Sequence, residues 1–189
     1  MSADASLAPG PAYVSRLHAA VDGLTADLER AHAGRLRCGA GCAGCCADGL
    51  TVFEIEADLL RARHPALLAE GAPNIDGGCA MLDLEGRCRV YADRPYVCRT
   101  QGLPLRWLDE EVEDGAPVVY EGRDVCPLNV EGGPPVEELP AAECWTIGPF
   151  EARLLAVQQA QDGGEGRRVA LRSLFGAAPP ATGRGPAAR

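Results

Sequence analysis

From Tyr13 onward the apolar positions Val14, Leu17, Val21, Leu24 and Leu28 recur at alternating spacings of three and four. That is one face of an amphipathic helix, and it should end near Gly34. A second helix is predicted from the capping pair Thr51 and Glu54 through Ile55, Leu59 and Leu60 to His64-Pro65. The pattern then shortens. Asn74 to Gly78 reads as a turn. The segment CAMLDLEGRCRVY at 79–91 has two short runs on either side of Glu85-Gly86, with Met81, Leu82, Leu84, Val90 and Tyr91 available to pack, and so predicts a β-hairpin. ADRPYVCRT predicts a short helix begun at Pro95, where a missing N–H costs nothing.

Asp109 to Asp114 is acidic at every position but Val112, and reads as a solvated loop because like charges without basic partners repel. Val118, Val119 and Tyr120 suggest a strand, and Gly132 to Pro135 with Pro140 a linker. A last helical region spans about Ile147 to Phe175, with Phe150, Leu154 and Val157 on one face and Gly163-Gly164 interrupting it. Residues 1–10 and 176–189 lack periodicity and are expected to be disordered. These elements predict an α+β fold: one small domain over 11–175, with helices around a cysteine-rich loop and a short β-hairpin.

Composition changes this picture in one respect. A chain of 189 residues with 47% hydrophobic content can bury one core, yet only 5% is aromatic while Gly and Pro number 23 and 15. Much of the chain should therefore wrap around something other than side chains, and bound metal would serve. The formal charge of −9 opposes binding to a phosphate backbone. All 18 basic residues are arginine, which removes lysine Schiff-base and P-loop chemistry. No apolar run approaches the roughly 20 residues needed to cross a bilayer. The N-terminal stretch does not read as a secretory signal, so the expected location is the cytoplasm.

The candidate chemistry lies in nine cysteines. Cys38, Cys42, Cys45 and Cys46 form the pattern C-x3-C-x2-C-C, and Cys79, Cys88, Cys98, Cys126 and Cys144 follow downstream. The first four have the spacing of one helical face, but Gly39, Gly41 and Gly44 between them would cost a helix about 1 kcal/mol each, so a tight loop is expected. An odd cysteine count and an adjacent pair argue against a disulfide framework. Clustered thiolates are soft ligands that select zinc, iron–sulfur clusters or cuprous copper. Adjacent Cys45 and Cys46 cannot easily aim both sulfurs at one tetrahedral ion, which implies two sites or one polynuclear cluster. The C-x3-C-x2-C triad also occurs in radical S-adenosylmethionine enzymes, but here it follows a helix, carries Gly44 where an aromatic is usual, and leaves too little chain for their barrel.

Taken in order, C-x3-C-x2-C-C at 38–46, Cys79-x8-Cys88-x-Val90-Tyr91 and Arg94-Pro95-x-x-Cys98-Arg99 resemble the YkgJ-type cysteine-cluster family, a zinc- or iron-chelating domain. The resemblance covers about residues 36–100. It implies Cys38, Cys42, Cys45, Cys46, Cys79, Cys88 and Cys98 as ligands, with Cys126 bringing the total to eight, enough for two sites of four sulfurs. Cys144 reads as a small buried hydrophobe. Arg94 and Arg99 are candidates to neutralise thiolate charge from behind the ligands, with ion pairs to Asp93 or Asp83 as the alternative, and Arg87 and Arg89 read as solubilising. His18, His32 and His64 read as surface or satisfied histidines, and no catalytic constellation stands out. The expectation is a metal-binding protein holding a four-iron iron–sulfur cluster, slightly ahead of zinc, with a structural or electron-transfer role. A protein redox partner would go with the second role; a redox-enzyme component or a cuprous-copper thiol store are the alternatives.

Overall fold

A computed structural model of the chain describes residues 8–75, 77–113 and 115–176. Helix α1 (Pro9–Ala31) begins earlier than the periodicity required, with prolines in its first turn where the backbone donors are free anyway. Val14, Leu17 and Val21 are buried as expected. Leu24 is not: it is half-exposed, and Thr25 takes the inward position. The buried row follows the i, i+4 ridge 17–21–25, and the Thr25 hydroxyl satisfies itself on the Asp22 carbonyl at 3.2 Å.

Thr51 is not a cap but the first residue of strand β1 (Thr51–Phe53), which pairs antiparallel with β5 (Arg168–Ala170). Helix α2 (Glu54–Arg63) follows at once. Its capping carboxylate is Glu56, which accepts the Phe53 N–H at 3.3 Å. Pro65 does not close the region but opens α3 (Pro65–Glu70).

Helix α2 is the wall between two apolar clusters. Ile55 and Leu59 face one that holds Val14, Leu17 and Val21 of α1 together with Leu103 and Leu154. Ala57 and Leu60 face the other, with Leu68, Met81, Val90, Leu171 and Leu174. An aromatic group closes the first: Trp145 stacks on Phe150 with centroids 5.4 Å apart and donates its indole N–H to the Tyr96 hydroxyl at 3.1 Å.

The hairpin predicted at 79–91 contracts to a single antiparallel bridge between Leu82 and Cys88. The Asp83 carboxylate takes the backbone N–H groups of Glu85 and Arg87 at 3.0 and 2.7 Å, and this local turn competes with strand pairing. Leu84 and Tyr91, expected to pack, are exposed, while Met81, Leu82 and Val90 are buried. Helix α4 (Tyr96–Arg99) starts after Pro95 and carries Cys98.

Asp114 lies outside the described residues, and over residues 109–113 the acidic run is not a loop. It forms the outer part of β2 (Leu105–Glu113), paired antiparallel along its whole length with β3 (Ala116–Asp124). The register sets Asp109, Glu110, Glu111 and Glu113 opposite Tyr120, Val119, Val118 and Ala116, so no acid faces another across the ladder. At the base, β4 (Trp145–Thr146) joins β2 in parallel. The expected linker at 132–140 is built instead of short 3-10 turns, and Val136 and Leu139 bury with Val125 and Cys144.

Helix α5 (Pro149–Asp162) ends at Gly163, in the left-handed region at φ 73°. The helix does not resume beyond it: β5 and a 3-10 turn (Leu171–Leu174) follow. Residues 1–7 and 177–189, expected to be disordered, lie outside the described residues. Among the described residues no helix is long and apolar enough to cross a membrane.

Candidate metal centre

The glycine-rich segment after α1 makes two successive tight turns, closed by Cys42 N–H to Gly39 O at 3.0 Å and Cys46 N–H to Ala43 O at 2.9 Å. These turns stand where the glycines predicted a loop. The Cys46 carbonyl accepts the Cys79 N–H at 2.8 Å, and Ala47 bridges Gly78, so the end of the loop is tied to the start of the 79–91 segment. The Leu82–Cys88 bridge then folds Cys88 back toward Cys79.

All nine cysteines are free thiols. Their surroundings divide them. Cys79 is buried in the second apolar cluster, with Cys46 and Cys88 packed against it. Burial pushes the Cys98 thiol up to about 12, reinforced by the nearby Cys79, Cys88 and Cys46. Cys46 is likewise pushed up to about 12, by burial first and then by Cys45, Cys79 and Cys88. The Cys88 thiol is raised by burial and by Cys79, against the Val90 N–H and the charges of Arg94 and Arg89, which favour the thiolate. Cys46, Cys79, Cys88 and Cys98 thus lie within one another's electrostatic reach, with Cys45 beside Cys46.

A second group forms around Cys38. Burial raises its thiol; the Asn129 amide opposes this, and Cys126 and Cys42 raise it further. Asn129 is fully buried and organises three strands of chain. It donates to the Gly102 carbonyl at 2.7 Å and to Cys38 Sγ at 3.4 Å, and it accepts the Arg37 N–H at 2.8 Å. Gly102 sits at φ 97°, and a Cβ there would come within 2.9 Å of Cys38 Sγ. Cys126 opens the 3-10 turn (Pro127–Asn129) that delivers this asparagine. Cys144 lies apart in the third apolar cluster.

Among the described residues no three His, Cys, Asp or Glu side chains stand as a group ready to hold an ion. The thiolate is the form of cysteine that binds metal, so an ion held by these sulfurs would take them deprotonated. The donor set itself, soft and reduced, fits a thiophilic metal.

The arginines take different partners. Arg99 is buried, but its guanidinium bonds Asp22 at 2.6 Å and the Ala92 carbonyl at 2.9 Å. Arg94 donates to the carbonyls of Cys98 and Tyr91 and lies over the Tyr91 ring at 4.3 Å. Asp83 pairs with Arg87, and Asp93 with Arg63 and His64. Arg89 is not a mere solubiliser: it ties the carbonyls of Ala72, Met81 and Ala80 together behind Cys88.

His32 is satisfied by the Glu143 carbonyl at 2.7 Å and His64 by Asp93 at 2.8 Å. His18 departs from expectation. It is buried at 3% exposure, its ring nitrogens lack hydrogen-bond partners among the described residues, and Glu56 is 3.5 Å away. Glu56 is a residue the sequence reading passed over. Its carboxylate also accepts the Tyr96 N–H at 2.8 Å, anchoring the helix that carries Cys98. Asn129 was passed over as well. A carboxylate three residues after Phe53 and an asparagine three after Cys126 were the available signals.

No curated protein and no solved structure matches the chain. Residues 37–114 match the family model CxxCxxCC, described as a "putative zinc- or iron-chelating domain". The matched segment holds every candidate ligand but Cys126, and its cysteine cluster is consistent with that family.

Proposed function

We propose that the chain holds an iron–sulfur centre through clustered cysteine thiolates and serves in electron transfer. One observation carries the reading. Five thiols, Cys45, Cys46, Cys79, Cys88 and Cys98, lie in one neighbourhood, more than a single tetrahedral ion accepts, and two of them are adjacent in sequence. A four-iron cluster has separate iron vertices for adjacent cysteines. When bound, it supplies reversible one-electron chemistry. Cys45, Cys46, Cys79, Cys88 and Cys98 are the thiols proposed to supply the ligands of this group, and Cys38, Cys42 and Cys126 those of a second site. Arg94 and Arg89 stand behind Cys88, where their charges favour the thiolate.

A second reading, two structural zinc ions, is favoured by the division itself, since eight sulfurs in two groups suit two tetrahedral ions. Anaerobic purification separates them. Brown protein containing iron and acid-labile sulfide, with visible absorption bleached by dithionite, is the expected result. Colourless protein with zinc would overturn the cluster while leaving the ligand set in place.

A further inference from the structure

The outer part of the β2–β3 ribbon is exposed on both strands, and its two faces are unlike. On one face Trp107 lies across Gly122 and donates its indole N–H to Asp109 at 2.7 Å, while the Tyr120 hydroxyl bonds Glu113. These groups satisfy each other. On the other face Leu108 and Val112 of β2 and Val119 of β3 project together, at 57%, 74% and 60% exposure. Three exposed aliphatics on one face of a two-stranded ribbon add nothing to the core and cost solubility.

The charge around them has one sign. Residues 107–122 contain six acids and no base. The arginines at the foot, Arg106 and Arg123, are both turned onto Glu121. Glu110, on the apolar face itself, and Glu111 have no ion pair among the described residues. An apolar stripe set among unpaired acids is complementary to an apolar patch rimmed by lysine and arginine. A second copy of this chain fits badly, because two six-acid ribbons in a chain of formal charge −9 would have to stack.

We infer that the Leu108–Val112–Val119 face is the docking surface for a basic protein partner. The ribbon's place in the chain gives the contact a consequence: β2 starts at Leu105, shortly after Cys98, and β3 ends at Asp124, just before Cys126, so the ribbon is the segment that joins the two cysteines. The docking surface itself rests on the ribbon and not on the identity of the metal.

The test uses the full chain and, as probe, an immobilised peptide of alternating lysine and valine, read by interferometry at low and high salt, with metal content measured on every sample. Three variants are compared. Leu108→Ser with Val119→Ser removes the stripe; Glu110→Lys with Glu111→Lys reverses the arm's charge; Asp27→Lys with Glu29→Lys makes the same charge change on α1. The expected result is salt-sensitive binding that weakens about tenfold or more in each arm variant and stays at the unmodified level in the α1 variant. No binding by the unmodified chain, or equal weakening in all three variants, would overturn the proposal. So would a dimer in sedimentation that dissolves when the stripe is removed, since the face would then belong to a second copy. Unchanged metal content across the set separates any of these failures from failure of the metal reading.

Discussion

The two thiol groups are held by different means. Cys46, Cys79 and Cys88 pack into an apolar cluster shared with α2 and the Leu171–Leu174 turn, and Cys98 lies beside them on α4. Cys38 and Cys42 sit on an open loop, and the buried amide of Asn129 fixes Cys38 in place. In the first group sulfur is part of the hydrophobic interior, so an ion bound there would join helices that pack on it. In the second the scaffold is complete without the ion, because hydrogen bonds to Asn129 already close it. The difference teaches that two groups with the same donor atoms would have different duties once each held an ion: the first would brace the fold, and the second would be open to exchange.

The largest expected effect breaks this comparison directly. Cys98→Ser should release metal from its group and lower the melting temperature by about 10 °C or more, since structural metal binding is folding energy. Cys38→Ser should release metal with a shift of only a few degrees, on the same scale. Thermal melts combined with metal analysis on both variants decide it. Equal losses of stability would remove the distinction between bracing and exchangeable sites.

Next come the two polar residues that secure the groups. Glu56→Ala strips the acceptor from the Phe53 and Tyr96 N–H groups and frees the start of α4, at an expected cost of about 2–4 kcal/mol. Asn129→Ala loses its bonds to Arg37, Gly102 and Cys38, and should cost about 2–3 kcal/mol. Urea denaturation gives both values, and metal retention assigns each residue to its group. Glu56→Ala should loosen metal bound at Cys98, and Asn129→Ala metal bound at Cys38. Losses that fall on the opposite group would show that the two centres are mechanically one.

Much of this was legible in the sequence, and what was not failed for identifiable reasons. The 14–17–21 stripe of α1, the α4 start at Pro95 and the inward Met81, Leu82 and Val90 all follow from local chemistry that tertiary packing left undisturbed. Leu24 was misplaced because the apolar count favoured it over Thr25, whereas the packing ridge runs through every fourth residue and a threonine can satisfy its own hydroxyl. The acidic run at 109–113 looked like a loop because its charges were weighed in isolation. Set opposite Val118, Val119 and Tyr120 they do not meet, and the strand forms. The stretch after Gly163 looked helical because its partner, β1, lies more than a hundred residues earlier, and no local pattern announces such a pairing. Sequence spacing gathered the cysteines, but the side of the molecule each one faces depends on α2, which no cysteine motif mentions.

The smallest effect concerns His18, which sits against Glu56, the carboxylate that also anchors the start of α4. Burial lowers its pKa from 6.5, opposed by the Glu56 carboxylate 3.5 Å away and helped by the charge of Arg99. The folded chain therefore releases this proton more readily than the unfolded chain does. Stability from His18 is complete above the unfolded value of 6.5 and is lost as the pH falls from there toward the folded value, because the unfolded state takes up the proton first. The comparison is made between chains that differ only at this position. Urea denaturation at a series of pH values from 7.5 down to about 5.5, above the range where carboxylates dominate, should show the unmodified protein weakening on acidification and His18→Phe weakening less. Parallel curves would mean that protonation of His18 is matched in the folded state, and that the interior around Glu56 tolerates charge.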